Sequence, residues 1–344
     1  MRIERWDDGD DATARNCLDV WLAAKETDDP LGAPKSMPVH RAWMRHGFRG
    51  YGGEVWLAAD GDGDEEGTAA WYRLGLPDRG NPEFADLDLW VHPRARRRGL
   101  GTLLLRHAAE RATANGRTIL TGMAPEGRAG AAFATRAGAA PGLVLARRFL
   151  HMSAIPPGQL ARLRAETSRK ADGYTLVRWL GATPEEYVAQ VAAVHEAMND
   201  APHGEGHVHQ AWDADRVRRA DAVSADFGTR DYSVAAMHDA SDVMAALTQL
   251  FIDPETPDWG HQGMTAVTRP HRGHRLGLLT KTAMLEWVAE TEPRLRVIDT
   301  GNADSNAHMI AVNEALGFQL SGPDWVLYQL PVEKIPVEKI PVER

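Results

Sequence analysis

The stretch that decides the fold is DLDLWVHPRARRRGLGTLLLRHAAERA, residues 86–112. It begins with alternating acidic and apolar residues, Asp86–Val91, at the period of two that a half-buried strand shows. It ends in a helical pattern over Gly101–Ala114, with Leu104, Leu105, Ala108 and Ala112 on one face that can seat against a sheet. Asn115-Gly116 supplies the stop. Between strand and helix lies a basic turn, Arg94, Arg96, Arg97 and Arg98, with Gly99 and Gly101. Glycine lets the backbone curl closely around an anion because no side chain obstructs the approach. Free amides at the start of the next helix then donate to phosphate oxygens, and a nearby arginine adds charge-assisted hydrogen bonds. The segment reads as an anion cradle; taken alone, it leaves a solvated basic turn open.

The cradle is not a nucleotide P-loop, since Gly99-Leu100-Gly101-Thr102 lacks the Gly-Lys-Ser/Thr ending, and no GxGxxG dinucleotide fingerprint is present. Nucleic acid is disfavoured too: the net charge is -9 and the basic turn has no interleaved aromatics.

A second copy lies downstream. Val91 precedes Leu100-Gly101 by the same separation that sets Val267 before Leu276-Gly277, and an arginine-containing loop joins strand to helix in both. A duplicated domain explains this repeated context. Around the first loop the pattern predicts strands at Arg2–Trp6, Glu54–Ala59, Thr68–Leu74, Thr118–Thr121 and Leu143–Met152, with helices over 11–26 and 39–46. Around the second it predicts strands at Leu176–Leu180, Tyr232–Met237, Val243–Phe251, Gly263–Val267, Arg296–Thr300 and Trp325–Leu330. Helices are expected over Pro184–Asn199, Leu278–Glu290 and Asp304–Leu316. The expected organisation is an N-terminal domain over 1–152, a linker over 153–175 opened by Pro156-Pro157-Gly158, a C-terminal domain over 176–330, and a tail over 331–344. That tail repeats PVEKI every five residues; its prolines forbid a continuous helix, so an extended or disordered segment is expected.

Composition bounds the rest. Across 344 residues, 43% hydrophobic and 25% charged is ordinary for a globular chain, and the length favours two domains. The single cysteine, Cys17, excludes an intramolecular disulfide and a zinc-thiolate cluster. The acidic start MRIERWDDGDD is unlike a signal peptide, and no run approaches the roughly 18 apolar residues of a membrane span. A cytoplasmic location, with neither membrane nor nucleic-acid partner, is expected.

Arg96-Arg97-Arg98-Gly99-Leu100-Gly101 resembles the pyrophosphate loop, Arg/Gln-x-x-Gly-x-Gly/Ala, of the GCN5-related N-acetyltransferase (GNAT) superfamily. In the second half Arg272-Gly273-His274-Arg275-Leu276-Gly277 matches at Arg272 and Gly277, with Arg275 at the usual first glycine. Thr300–Asn306 and Met309–Phe318, ending in Leu316-Gly317-Phe318, are similar to the segment that follows in that superfamily; the first-half counterpart, Phe133–Ala139, is eroded. The resemblance implies an α/β fold of two GNAT-like domains, each with a mixed, splayed central sheet flanked by helices. It implies acetyl-CoA as cofactor, its pantetheine arm beside Val91 or Val267 and its pyrophosphate at Arg96–Thr102 or Arg272–Leu278. Asn302 and Asn306 would contact the cofactor arm in the second half. The reaction implied is direct attack by a primary amine on the thioester, with a small-molecule acceptor expected.

The superfamily's usual base lies sixteen residues before the second loop glycine, which is His261 in the second half and Ala85 in the first. On a regular strand His261, Gly263, Thr265 and Val267 would share a face. A neutral imidazole accepts an amine proton near physiological pH; a histidine held for packing is the plain alternative. The superfamily's usual thiolate-protonating tyrosine is replaced by Asn313, and by Ala134 in the first half, so neither is a phenolic acid. Asn313 could orient an acceptor or a water, or stabilise its helix end. Trp212 and Trp259 are candidates to line the second acceptor site. His203, Glu205, His207 and His209 form a cluster without recognised metal spacing, more simply a connection or an acceptor-contact loop; no metal is expected. Catalysis, expected in the second half, competes with a non-catalytic acyl-CoA sensor or scaffold, which the missing tyrosines favour, and with a purely structural duplication.

Overall fold

Local chemistry sets the element ends. Asp10 caps α1 (Asp11–Asp28) by accepting from the Thr13 amide, and Ser36 caps α2 (Met37–His46), which carries proline in its first turn. The computed structural model describes residues 2–47, 50–59, 68–200 and 211–336. Its first half contains, besides these helices, β1 (Ile3–Arg5), β2 (Gly53–Ala59), β3 (Thr68–Gly75), β4 (Phe84–Val91), α3 (Leu100–Ala114), β5 (Ile119–Pro125), α4 (Ala129–Arg136) and β6 (Ala140–His151). α5 (Gln159–Lys170) bridges to the second half: β7 (Tyr174–Leu180), α6 (Val188–Glu196), α7 (Ala214–Phe227), β8 (Arg230–His238), β9 (Val243–Ile252) and β10 (Trp259–Val267). α8 (Leu276–Thr291), β11 (Val297–Ala303), α9 (Ala307–Leu316), β12 (Gln319–Leu320) and β13 (Trp325–Pro331) complete it.

This is the expected α/β class with mixed sheets flanked by helices. Several elements depart from the sequence expectation. α4 and α7 were not expected, and the connection after Pro156-Pro157-Gly158 is helical as α5, packed on α8. The pattern over 184–199 divides into a 3-10 turn, α6 and a second 3-10 turn. The start of the tail is ordered: Val332–Lys334 form a 3-10 turn, and Ile335 is buried in the first core because its apolar side chain finds α3 and the sheet beside it.

One sheet of thirteen strands runs through both halves in the order β1-β2-β3-β4-β5-β13-β6-β11-β10-β9-β8-β7, with β12 paired to β6. Equating β1 to β5 with β7 to β11, and β6 with β13, makes that order read alike from either end. The last strand of each half has crossed over: β13 pairs with β5, and β6 pairs with β11, both antiparallel. A pseudo-two-fold relation thus passes between β13 and β6, and the equivalent helices α2 and α7 pack together across it.

Two parallel contacts interrupt the antiparallel sheet. β4 pairs with β5 only at Phe84–Asp86, and β10 with β11 only at Trp259–His261. Beyond them the strands diverge, so each half has one splay, with α3 or α8 starting at its far end. Apolar clusters under α3 and α8 anchor the two splays.

Candidate active site

Both loops fold alike although their sequences differ. In the first, Arg97 (φ 66°) and Gly99 (φ 91°) are left-handed; in the second, Gly273 (φ 90°) and Arg275 (φ 58°) are. Each loop has two left-handed residues, two positions apart, and puts a glycine at a different one of the two. At the usual first-glycine position Arg275 itself adopts the left-handed conformation, at a cost of about 1 kcal/mol. Among the described residues no side chain caps α3 or α8. The amides of Leu100, Gly101 and Thr102, and of Leu276, Gly277 and Leu278, are left at the head of each helix, where an anion is favoured.

The motif arginines brace these loops. Arg96 Nε donates to the Val91 carbonyl at 3.2 Å, and Arg272 Nε to that of Val267 at 3.2 Å. The other guanidinium nitrogens pair with Asp28 in the first half (3.0 Å from Nη1) and with Asp200 in the second (2.7 Å from Nη2). Arg275 pairs with Glu166 on α5. Arg97, Arg98 and His274 are exposed.

At the mouth of the second splay, His261 Nδ1 lies 3.0 Å from Asp299 Oδ1, and Trp259 Nε1 donates to the same oxygen at 3.2 Å. The parallel register that pairs residue 261 with 299 places the two groups side by side. Burial opposes a charged ring, but the Asp299 carboxylate outweighs it by charge and hydrogen bond, so the His261 pKa is raised. Burial pushes Asp299 the other way, yet His261 prevails and its pKa is lowered. The histidine side chain stays 41% exposed. Beside it Phe149 packs edge-on to Trp259, and Arg147 pairs with Asp29 from the loop after α1. A cleft of about 330 Å³ lies between that loop (Leu31, Pro34) and Phe149, Trp259 and Val297.

β10 is not regular. Its pairing with β9 slips between Gln262 and Thr265, and both side chains reach the Thr248 hydroxyl, at 3.1 and 2.8 Å. Residues three apart thus share a face, and His261 points away from Thr265, against the regular-strand expectation. The extra residue is a β-bulge, which re-aims the side chains before it. In the first half β3 and β4 pair without a slip, so Asp86 and Asp88 lie opposite Ala85.

The comparisons with known proteins agree with this fold. Residues 51–138 match the model of the acetyltransferase (GNAT) domain. No curated protein matches the sequence. Among solved structures, a tandem GNAT protein from the clavulanic acid biosynthesis pathway, determined without AcCoA, is 30% identical, with 96% of this chain and 98% of that one covered and a TM-score of 0.78. A GCN5-related N-acetyltransferase from Sphaerobacter thermophilus shares the fold at 17% identity, coverage of 96% and 95%, and a TM-score of 0.65. A glucosamine N-acetyltransferase region of a fungal multi-domain β-N-acetylglucosaminidase does so at 12% identity and a TM-score of 0.64, covering 96% of this chain and 38% of that one. The chain belongs to the tandem-domain GNAT superfamily.

Within this GNAT fold the remaining candidates separate. Asn313 is fully buried: its Oδ1 accepts from Lys281 Nζ at 2.7 Å, and its Nδ2 donates to Asn302 Oδ1 at 2.6 Å. Asn306 caps α9 through the Met309 amide. Trp212 stacks on His195 at 3.8 Å, with Arg216 over its ring, and packs in the cluster beneath α6 and α7 rather than beside His261. The cluster of His203, Glu205, His207 and His209 lies outside the described residues. Sequence reasoning missed Asp299 and Lys281. Asp299 has no motif of its own and becomes a partner only through the β10–β11 register. Lys281 offered one signal, a lone lysine on the apolar helix LGLLTKTAMLEW; burial lowers its pKa to about 7.

Among the described residues no helix is long and apolar enough to cross a membrane.

Proposed function

We propose that this GNAT protein is an acetyl-CoA-dependent N-acetyltransferase acting on the primary amine of a small molecule, with the chemistry in the unit spanning 176–330, joined through 153–175 to a first unit spanning 1–152. The observation that carries the reading is the His261–Asp299 pair at the mouth of the second splay. The loop chemistry fits a CoA pyrophosphate: a Cβ on Gly273 would meet nothing within 4 Å, and one on Gly277 only the Val267 and Thr265 side chains at 3.7 and 3.8 Å. In the first loop the Phe133 ring already stands 3.4 Å from a Gly101 Cβ, which favours the second site for turnover.

Acetyl-CoA, when bound, supplies an electrophilic thioester carbonyl. The amides of Leu276, Gly277 and Leu278 would hold the pyrophosphate, and Val267 with Asn302 would flank the arm. His261 Nε2 accepts the proton of the acceptor ammonium, while Asp299 fixes the ring through Nδ1 and stabilises the imidazolium that forms. Asn313, buried and engaged by Lys281 and Asn302, braces Asn302 rather than orienting an acceptor or a water, and supplies no acidic proton. Trp259 and Phe149 wall the acceptor cleft. The clavulanic acid relative supports a small-molecule acceptor. We place the activity in the cytoplasm, where the buried Cys17 thiol stays reduced.

The test measures acetyl-CoA binding by calorimetry, then acetyl transfer to small amines, amino sugars, aminoacyl compounds and peptides. Turnover on a small amine is the expected result. Binding without turnover on any acceptor would favour a sensor, and no binding would overturn the reading.

A further inference from the structure

Lys35 lies in the loop between α1 and α2, and its ammonium group is held between two tryptophans. Nζ is 4.1 Å from the centre of the Trp43 ring and 4.3 Å from that of Trp21, the packing by which aromatic faces hold a cation. The cage has a carboxylate beside it: Trp43 Nε1 donates to Asp88 Oδ2 at 3.2 Å. Asp88 is the second residue of β4 beyond its last pair with β5, inside the first splay, and three residues before Val91, which opens onto the first loop. The same half carries the complete loop motif at Arg96–Gly101 but has Ala85 where the second has His261. The first unit thus holds a primary amine of its own chain, between Trp21 and Trp43, next to a carboxylate of the first splay.

We infer that Lys35 is a self-acetylation site, its amine taking the acetyl group of an acetyl-CoA bound at the Arg96–Gly101 loop. The inference rests on the proposed acetyl-CoA binding and extends it to the first loop, whose Arg96–Gly101 motif is complete and whose acceptor is held in place by the chain itself. Asp88 accepts the first proton from the Lys35 ammonium. The free lone pair on Nζ forms a bond to the thioester carbonyl carbon, and the carbon–sulfur bond breaks with its electrons on sulfur. The second amine proton ends on the CoA thiolate, so the products are an amide at Lys35 and CoA thiol. Burial, opposed by Asp88, lowers the pKa of Lys35 to about 7, so a large share of the amine is uncharged at neutral pH. Burial raises that of Asp88, which makes it the better proton acceptor. Acetylation cancels the charge that the Trp21–Trp43 cage holds. Residues of the same loop, Leu31 and Pro34, wall the cleft beside Trp259, so the modification would be felt at the second site.

The experiment incubates the full chain with acetyl-CoA at pH 8 and follows intact mass, peptide mapping and tryptophan emission together. The expected result is a single acetyl group on Lys35, at a rate independent of protein concentration, accompanied by a change in emission. Lys35→Arg should abolish both signals, and Asp88→Asn should slow acetylation at least tenfold while thermal unfolding confirms that both variants fold. Acetyl-CoA binding and turnover on free amines with Lys35 unmodified would overturn this inference and leave the proposed function standing. Equal labelling of Lys25 and Lys170, the mark of uncatalysed chemistry, would overturn it as well. Failure to bind acetyl-CoA would overturn both.

Discussion

At the scale of single residues, the second site joins a histidine with a raised pKa to a carboxylate that holds it. Turnover at limiting acceptor should fall as pH drops through the His261 pKa, because the protonated ring cannot accept a second proton. His261→Ala should lower that rate by about 10²–10⁴-fold and flatten the acid limb, with acetyl-CoA affinity unchanged. Asp299→Asn removes what raises the pKa and should move the limb to lower pH. A full rate and an unshifted profile in His261→Ala would assign proton removal to water. Lys281 makes a separate prediction about stability. Its pKa is lowered by burial to about 7, against 10.5 in an unfolded chain. Between those values the unfolded chain keeps a proton that the fold has lost, so the contribution of Lys281 to stability rises as pH climbs from about 7 to 10.5. Lys281→Met should reduce the slope between about pH 7 and 9, which Lys35 shares through the same depression to about 7; above that window Cys17 and Tyr72, whose pKa values burial raises, act in the opposite direction, and denaturant titrations from about pH 7 to 9 measure it.

At the scale of elements, the two cradles give a direct comparison. Gly99 is left-handed with open space around a would-be Cβ, so Gly99→Ala should cost about 1–2 kcal/mol from backbone strain alone. Arg275 already bears that strain. Arg275→Gly should relieve about 1 kcal/mol of it and lose an exposed pair with Glu166 worth about 0–1 kcal/mol, for a change near zero. Urea unfolding of the two variants checks this; equal destabilisation would refute the shared conformation. The β10 bulge is the other decisive element. Gly263 sits within it, where a Cβ would fall 2.5 Å from the Phe251 ring, so the bulge and the direction of His261 both depend on a residue without a side chain.

At the scale of the molecule, the exchanged strands bind the halves into one folding unit. A fragment ending at residue 158 would leave β5 without β13 and β6 without β11, exposing long strand edges in the middle of the sheet. Such a fragment should aggregate or lack cooperative unfolding, whereas co-expression with residues 159–344 should recover a soluble complex. A fragment that folds alone with a sharp thermal transition would show that the exchange is dispensable.

The sequence by itself determined the duplication, the strand–loop–helix units around Arg96–Gly101 and Arg272–Gly277, and the α/β class, because periodicity, glycine placement and charge act within one turn of chain. The resemblance to the GNAT superfamily, not the spacing alone, pointed to His261, sixteen residues before Gly277. The sequence could not reveal Asp299 as the partner of that histidine, since residues 38 apart in the chain meet only through a parallel register. Nor could it show that Arg275 takes a glycine's conformation, that a bulge turns His261 away from Thr265, or that Lys35 rests between two tryptophans. Strand exchange was equally hidden: β13 and β6 have the alternation of any last strand, and which β-edge each one fills depends on the shape of the assembled sheet. Local order is written in neighbouring side chains, but pairing between distant strands is chosen by what the whole core buries.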